Sequence, residues 1–425
     1  KYAGMKVAEA RKKIVEDLRV LGLLVKEEPY HHSVAVCYRC AAPLEPLPSN
    51  QWFIKMEKLA QATAKTVKAG KTKILPKNFS RPFFAWLGNI KDWCISRQIW
   101  WGHQLPVYFC AKNKPGEVLS PESGVRTPDI GHPSSDNFIV ALEQPKQCPF
   151  CGQCQMERSL DVLDTWFSSA LWPFAGLPEA DQNQFYPSDV LITARDIINL
   201  WVGRMIFSGL EFMGKRAPFK TALIHATVLA KDGRRMSKSL GTGVDPLELV
   251  EKYGADATRF GIIWQAMGGQ DIRWDEASVM AGKKFANKVW NASRFVLGRT
   301  AGRPTTEGCF TSDPRPPSSD VLSKTAADKK ILTRLKTAKK SVEADIKKYN
   351  FGPALHSAYD FFWHDFCDVY LEASKNQIDQ NTDKILVYIL LESLKMLHPF
   401  MPHLTEEIYQ KLPLRDKNWL IIEKW

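Results

Sequence analysis

The stretch that decides the fold is Lys231-Asp232-Gly233-Arg234-Arg235-Met236-Ser237-Lys238-Ser239-Leu240-Gly241. Its glycines permit backbone conformations that other residues avoid, which predicts a mobile loop. The loop is cationic and rich in hydroxyl donors, and such groups stabilise a polyphosphate whose charge grows as a bond breaks. Most Lys and Arg clusters are solvated turns. A phosphate-binding loop and a solvated basic turn are therefore the two interpretations at this point, and the resemblance described below favours the first.

The flanks of this loop have the pattern of an open α/β sheet. Residues 221–229 form a short apolar run directly before the loop, and residues 190–193 form another, so both are predicted strands. Between them, residues 196–213 have Ile197, Trp201 and Met205 on one helical face. A strand–helix–strand order with functional residues at strand ends predicts a Rossmann-type α/β domain.

The rest of the chain predicts several domains, since 425 residues exceed one ordinary core. An amphipathic helix is expected over 5–25 and helices from 246 to 298. Residues 299–322 are rich in Pro, Ser, Thr and Gly and predict a linker. From 323 to 425 the pattern predicts an all-α bundle.

Charge and composition restrict the function classes. The chain has 58 Lys and Arg against 46 Asp and Glu, a net charge of +12, which fits a polyanionic partner. It has no apolar run long enough for a bilayer and no apolar signal-peptide segment, so we expect a cytoplasmic protein. Its nine cysteines are then expected to be reduced, serving as metal ligands or buried side chains.

Two cysteine pairs have metal-ligand spacing. Cys37 and Cys40 are separated by two residues, as are Cys148 and Cys151, and such pairs let both sulfurs reach one tetrahedral ion. The spacing predicts one shared structural Zn²⁺, with the second knuckle covering residues 148–154. The alternative is four independent reduced cysteines, because 107 residues separate the pairs.

Two further segments combine aromatic and polar side chains. Residues 92–106 read Asp-Trp-Cys-Ile-Ser-Arg-Gln-Ile-Trp-Trp-Gly-His-Gln-Leu-Pro, and residues 161–173 read Asp-Val-Leu-Asp-Thr-Trp-Phe-Ser-Ser-Ala-Leu-Trp-Pro. Such segments are often plain core. The second could instead form an aromatic wall for a small apolar ligand, with an acidic residue nearby.

The loop closely resembles the signature loop of class I aminoacyl-tRNA synthetases, with Arg235 in place of a Lys. Together with the two aromatic segments, it resembles the valyl-tRNA synthetase family. Further matches are residues 192–198, 359–368 and 398–408. The resemblance extends over nearly the whole chain.

The resemblance implies an ATP-dependent valine–tRNA ligase, which activates valine with ATP and Mg²⁺ and transfers it to tRNA(Val). It implies that Lys238 binds ATP phosphates and stabilises the departing pyrophosphate, together with Arg235, Ser237 and Ser239. His225 would contact ATP. Asp196 would bind the substrate ammonium, and the wall of the valine pocket would consist of Ile197, Trp201 and Trp166.

This chain departs from the family pattern at several points, and these determine the domain organisation that we expect. The His-Ile-Gly-His element and an editing domain are not recognisable, and Ala194 and Ala226 stand where the family usually has Gly. We therefore expect a C-terminal portion that is inactive alone. Its predicted parts are a helix with the first knuckle (1–45), part of the catalytic domain (46–245), a stem-contact region (246–298), a linker (299–322) and an anticodon-binding domain (323–425).

Two alternatives stay open. The chain could be a non-catalytic tRNA-binding module, either a paralogue or a split-synthetase subunit that works with a separate N-terminal half. It could also be an isoleucine–tRNA ligase, since that family shares the signature loop.

Overall fold

The structure, a computed structural model of the chain, describes residues 2–37, 40–44, 50–110, 118–119, 126–127, 138–152, 155–236, 241–300, 310–311, 325–377, 379–415 and 418–425. Ser237, Lys238, Ser239 and most of the predicted linker lie outside these ranges. The chain divides into two units. The first comprises Lys1–Ala69, Ala85–Pro187 and Asn199–Pro218, and the second comprises Gly70–Phe84, Ser188–Ile198 and Phe219–Trp425.

Helices and strands alternate in the first half of the described chain, and helices dominate the second half. The α-helices are α1 (Val7–Val20), α2 (Glu57–Lys68), α3 (Ser80–Gly88), α4 (Thr165–Ala175), α5 (Glu179–Phe185), α6 (Gly203–Phe212), α7 (Pro246–Tyr253), α8 (Ala255–Trp264), α9 (Glu276–Thr300), α10 (Ala326–Lys347), α11 (Phe351–Asp360), α12 (Glu372–Ser374), α13 (Gln380–Leu397) and α14 (Pro402–Tyr409). A π-helical segment, Phe361–Leu371, connects α11 to α12. The strands are β1 (Phe53–Ile54), β2 (Lys73–Leu75), β3 (Trp93–Cys94), β4 (Ser96–Arg97), β5 (Val107–Cys110), β6 (Val118–Leu119), β7 (Arg126–Thr127), β8 (Phe138–Val140), β9 (Met156–Arg158), β10 (Val162–Leu163), β11 (Ser188–Ala194), β12 (Phe219–His225), β13 (Val228–Leu229), β14 (Ile272–Arg273), β15 (Phe310–Thr311) and β16 (Leu414–Arg415).

The second unit contains a parallel sheet in the order β11–β12–β2. Strand β12 is central, and its residues Ala222, Leu223 and Ile224 are all buried, as expected for a parallel strand covered on both faces. The register aligns Ala194, the last residue of β11, with His225, the last residue of β12. The carboxyl ends of two parallel strands therefore lie side by side.

The segment after β11 differs from the single helix predicted over 196–213. It begins with a 3₁₀ turn at Arg195–Ile197, continues as a π-helical turn at Ile198–Val202 and becomes α-helical only in α6. A π turn takes one extra residue per hydrogen-bonded ring, and such turns occur often at functional sites.

The first unit packs α2 and α4 against α6 and contains short antiparallel strand pairs. Met56, Trp93 and Phe207 form one buried cluster, against which Trp166 packs. A separate three-stranded sheet, β8–β5–β9, carries the cysteines described below.

The C-terminal helices of the second unit share one large apolar core, to which α8–α11, α13 and α14 contribute. Helix α10 starts at a capping box, in which the Thr325 hydroxyl and the Asp328 carboxylate each accept a backbone N–H of the other residue. Within the described residues, no helix is both long and apolar enough to cross a bilayer.

The lysines of α10 do not all belong to one solvated face. Lys329, Lys336 and Lys340 are exposed, whereas Lys339 turns inward and forms an ion pair with Glu392 of α13. Glu392 is fully buried and also accepts from Lys395 Nζ at 3.0 Å. One buried carboxylate therefore faces two ammonium groups, and this cluster ties α10 to α13.

Replacing Glu392 with Gln should destabilise the chain by about 3–5 kcal/mol, because two cations lose the charge that compensates them in a buried site. Glu343→Gln is the matched control, since Glu343 pairs with Lys347 on the exposed surface of α10 and should have no measurable effect. Urea unfolding followed by far-UV circular dichroism measures both. Equal midpoints for the two variants would contradict the structural role of the cluster.

Candidate active site

Charged side chains gather at the carboxyl edge of the parallel sheet. Directly after β11, Arg195 donates from Nη2 to Asp271 Oδ2 at 2.8 Å, and the neighbouring Asp196 forms an ion pair with Arg235. The Asp271 Oδ1 atom also accepts the backbone N–H of Thr227 at 3.3 Å, just beyond β12. Ligands of open α/β sheets bind at this edge.

Arg235 reaches Asp196 from a tight hairpin. The Gly233 N–H donates to the Ala230 carbonyl at 2.8 Å, and the Ala230 N–H donates to the Arg234 carbonyl at 2.8 Å. Gly233 adopts a φ of +84°, which a residue with a side chain would adopt only under strain. The first half of the signature loop is thereby anchored to the end of β13.

The structure brings together only some of the predicted residues. Asp196 and Arg235 meet, and His225 lies at the same sheet edge with Nδ1 2.9 Å from the Ala226 carbonyl oxygen. Ile197 is half-buried in the second unit. Ser237, Lys238 and Ser239 lie outside the described residues, so their roles stay predictions.

The two predicted tryptophans belong to the first unit, where neighbouring elements hold them. Trp166 lies in the first turn of α4, whose N-cap is Asp164. Trp201 precedes α6 and donates from Nε1 to the carbonyl of Ser169 in α4 at 3.0 Å. Both indoles are half-buried.

A cavity of about 390 Å³ opens beside Trp166 within the first unit. Its walls are partly apolar and partly charged, a mixture typical of small-molecule sites. The residues that line it are Met56, Trp86, Ile90, Lys91, Asp92, Trp93, Cys94, Arg97, Asp164, Trp166, Leu200 and Arg204.

Three cysteine sulfurs lie close together in the first unit. Cys110, Cys148 and Cys151 have all their Sγ atoms within 4.8 Å of one another, and the Cys110–Cys151 separation is 3.8 Å. Tetrahedral zinc with Zn–S bonds of about 2.3 Å separates its sulfurs by about 3.8 Å. The three residues therefore fit a zinc ion, and the sequence interpretation missed Cys110, which ends strand β5 without a second cysteine at knuckle spacing.

Both predicted knuckles have the same turn. The N–H of Ala41 donates to the Cys37 carbonyl at 2.8 Å, and the N–H of Gly152 donates to the Cys148 carbonyl at 2.8 Å. Ala41 and Gly152 are both left-handed, with φ of +56° and +68°. The close sulfur cluster includes Cys148 and Cys151 but not Cys37 and Cys40. A single ion shared by both pairs stays a prediction.

Two family models match this chain, one over its N-terminal part and the other over its C-terminal part. The model described as tRNA synthetases class I (I, L, M and V) matches residues 7–275, and the anticodon-binding domain of tRNA ligase matches residues 328–425. The chain belongs to the class I tRNA synthetase family for isoleucine, leucine, methionine and valine. The predicted fold class, a partial Rossmann-type catalytic domain followed by a helical anticodon-binding domain, is confirmed.

Among the similar proteins within this family are valine–tRNA ligases. That of Carboxydothermus hydrogenoformans is 44% identical over 435 residues, and that of Thermotoga maritima is 43% identical over 433 residues. Each alignment covers 100% of this chain and 46% of the relative. The chain thus spans about half the length of the relatives it matches.

Solved structures support the fold. A Mycobacterium tuberculosis methionyl-tRNA synthetase in complex with methionyl-adenylate matches with a TM-score of 0.61 and 18% identity, covering 88% of this chain and 65% of that one. An Agrobacterium radiobacter leucyl-tRNA synthetase in a ternary complex with tRNA and LeuAMS matches with a TM-score of 0.60 and 21% identity, covering 79% and 42%.

Asp196→Asn should loosen the hairpin that carries Arg235. Because both partners are largely exposed, the ion pair is worth about 0–1 kcal/mol, so the amides of Ala230 and Gly233 should exchange up to about fivefold faster. Hydrogen exchange followed by mass spectrometry measures this. Asp189→Asn, which removes the exposed Lys220 pair from the same strand, is the control, and equal protection in both variants would contradict the coupling.

Proposed function

We propose that this chain contributes to ATP-dependent activation of valine and its transfer to tRNA(Val). The observation that carries the proposal is the meeting of Asp196 with Arg235 of the signature loop at the carboxyl edge of the sheet. A carboxylate that holds one exposed cation is suited to hold the ammonium of an amino acid instead. Family membership and the valine–tRNA ligase relatives support the same assignment.

The proposed site exchanges one cation for another. When the ammonium of valine reaches Asp196, the guanidinium of Arg235 must withdraw, because one exposed carboxylate does not hold both in the same place. Arg235 is then free to join Ser237, Lys238 and Ser239 at the phosphates of ATP–Mg²⁺. Cations there stabilise the charge that develops on pyrophosphate as it leaves.

The aromatic residues would determine which amino acid fits. In the proposal, the indoles of Trp166 and Trp201, which both belong to the first unit, contact the isopropyl group of valine. His225, at the end of β12, faces solvent at the sheet edge and is suited to contact the nucleotide. Shape alone separates substrates that differ by one methylene by about 10–200-fold.

The helical region would bind tRNA. Its match to an anticodon-binding domain and the exposed lysines of α10 support contact with the phosphate backbone. The lysines that qualify are Lys329, Lys330, Lys336, Lys340 and Lys347. Lys339 is excluded, since it compensates buried Glu392.

Zinc would serve a structural role. Cys110, Cys148 and Cys151 are the residues whose sulfur positions fit the ion, and their surroundings are Tyr108 and Met156 of the same small sheet. A bound Zn²⁺ would hold these thiolates in one tetrahedral site and stabilise the β8–β5–β9 sheet. The alternative is that the three are reduced thiols packed as apolar side chains.

The valine assignment is tested by valine-dependent exchange of pyrophosphate into ATP. The protein as its organism makes it should exchange with valine, and Lys238→Ala should lower kcat by about 10²–10³-fold because a charge-stabilising cation is lost. Lys215→Ala, which removes an exposed cation paired with Glu211, is the control. The 425-residue chain alone should show no exchange, since the His-Ile-Gly-His stretch is not in its sequence.

Two outcomes would count against this assignment. Robust exchange by the 425-residue chain alone would contradict the expected incompleteness of its ATP site. Exchange that prefers isoleucine to valine would replace the valine assignment with the isoleucine one.

Metal analysis tests the zinc proposal. The purified chain should contain about one zinc, and Cys110→Ser should lower that content strongly. Cys367→Ser is the control, because burial raises the pKa of the Cys367 thiol to about 12 and makes it a poor metal ligand. The double variant Cys37→Ser/Cys40→Ser decides whether the first knuckle shares the ion. Unchanged zinc in Cys110→Ser would contradict the cluster as the binding site.

A further inference from the structure

The residue that caps α4 is the centre of a buried charge network in the first unit. Asp164 accepts at Oδ2 from Trp93 Nε1 at 2.9 Å, from Arg97 Nη2 at 3.1 Å and from Arg204 Nη1 at 3.4 Å. Its other oxygen accepts the backbone N–H of Trp166 at 3.4 Å. Asp164 is only 5% exposed. One carboxylate thus anchors the first turn of α4 to three separate segments.

The partner from α6 is held almost as firmly. The guanidinium of Arg204 stacks over the ring of Trp93, 3.9 Å from the centroid, and little of its side chain reaches solvent. Burial lowers the pKa of Arg204, and the neighbouring Asp164 carboxylate offsets part of that effect. A planar guanidinium that is stacked on a ring and paired with a carboxylate has one favoured orientation.

A second tie joins the same two elements. Trp201, three residues before Arg204, donates from its indole to the carbonyl of Ser169, five residues after Asp164. The two ties therefore lie on either side of Trp166 along α4. Together they fix the position of Trp166 relative to Trp201, the two indoles of the proposed valine pocket.

The cavity beside Trp166 leaves open space next to its indole. Trp166, Leu200, Asp164 and Arg204 all line the space of about 390 Å³. That volume is far larger than a methylene group, so an unrestrained indole would have room to move into it. The bonds from Asp164 to Arg204 and from Trp201 to Ser169 hold α4 in place and so oppose that movement of the Trp166 indole.

We propose that Asp164 and Arg204 are positioning residues that set the size limit of the amino-acid pocket by fixing where α4 holds the Trp166 indole. The proposal rests on the proposed function. It extends that function to two residues that act through the position of Trp166.

Arg204→Lys is the principal test, because it keeps the charge but loses the planar fork and its stacking on Trp93. In the protein as its organism makes it, KM for valine in pyrophosphate exchange should rise about five- to tenfold, and kcat and KM for ATP should change less than twofold. The kcat/KM preference for valine over isoleucine should fall at least threefold. Asp164→Asn should shift the same quantities in the same direction.

Arg216→Lys is the matched control, since Arg216 also stacks on an aromatic ring, Tyr186, and bonds a backbone carbonyl at the end of α6, and both of these partners lie outside α4. It should leave all constants unchanged. Thermal unfolding of each variant shows whether the substitution acts only by destabilising the fold. A lower Tm with equal losses in activity for valine and isoleucine would overturn the proposal.

The remaining outcomes are equally decisive. An active wild type whose Arg204→Lys variant keeps its KM and its preference would overturn this proposal alone. A wild type that does not exchange with valine would overturn the proposed function, and this proposal with it.

Discussion

The parallel pairing of β11 with β12 is the constraint on which the proposed active site depends. Because the two strands run in the same direction with Ala194 opposite His225, everything that follows either strand must begin at one edge. Arg195 and Asp196 follow the first strand, and the hairpin that carries Arg235 follows the second. Asp196 and Arg235 are about forty residues apart in the sequence. They meet because the parallel register of the sheet places the ends of both strands at the same edge.

The two kinds of ion pair in this molecule suit two different roles. The pair between Asp196 and Arg235 is exposed on both sides, so it is weak and easily exchanged for another partner. The pairs around Asp164 and Glu392 are buried, and breaking either is costly because a charge is left without compensation. The exposed pair suits the change of partner proposed for Asp196, and the buried pairs suit helices that are held in fixed positions.

The sequence was sufficient for the parts that depend on local pattern. Alternation of apolar strands and helices predicted the α/β sheet. The family resemblance singled out Asp196 and Arg235, and the structure places both at the carboxyl edge of that sheet. Contacts between distant segments could not be read from spacing. Cys110 has no second cysteine at knuckle spacing, and Asp271 and Arg204 carry no motif. Their roles arise only when β5, β14 and α6 are placed against their neighbours, which is a matter of tertiary packing. The π turn at Ile198–Val202 could not be predicted either. The spacing of apolar residues along a helix does not show where one turn contains an extra residue.

The two ties between α4 and the Trp201 segment fix lengths as well as positions. Each tie joins one residue on each side, with five residues from Asp164 to Ser169 and three from Trp201 to Arg204. One residue inserted or deleted between Asp164 and Ser169 would rotate one end by about 100° on α4 and separate it from its partner. This part of the chain can therefore diverge by replacement of side chains, but the interval from Asp164 to Ser169 is closed to changes in length. Selectivity for amino acids of different size would have to evolve within that fixed frame.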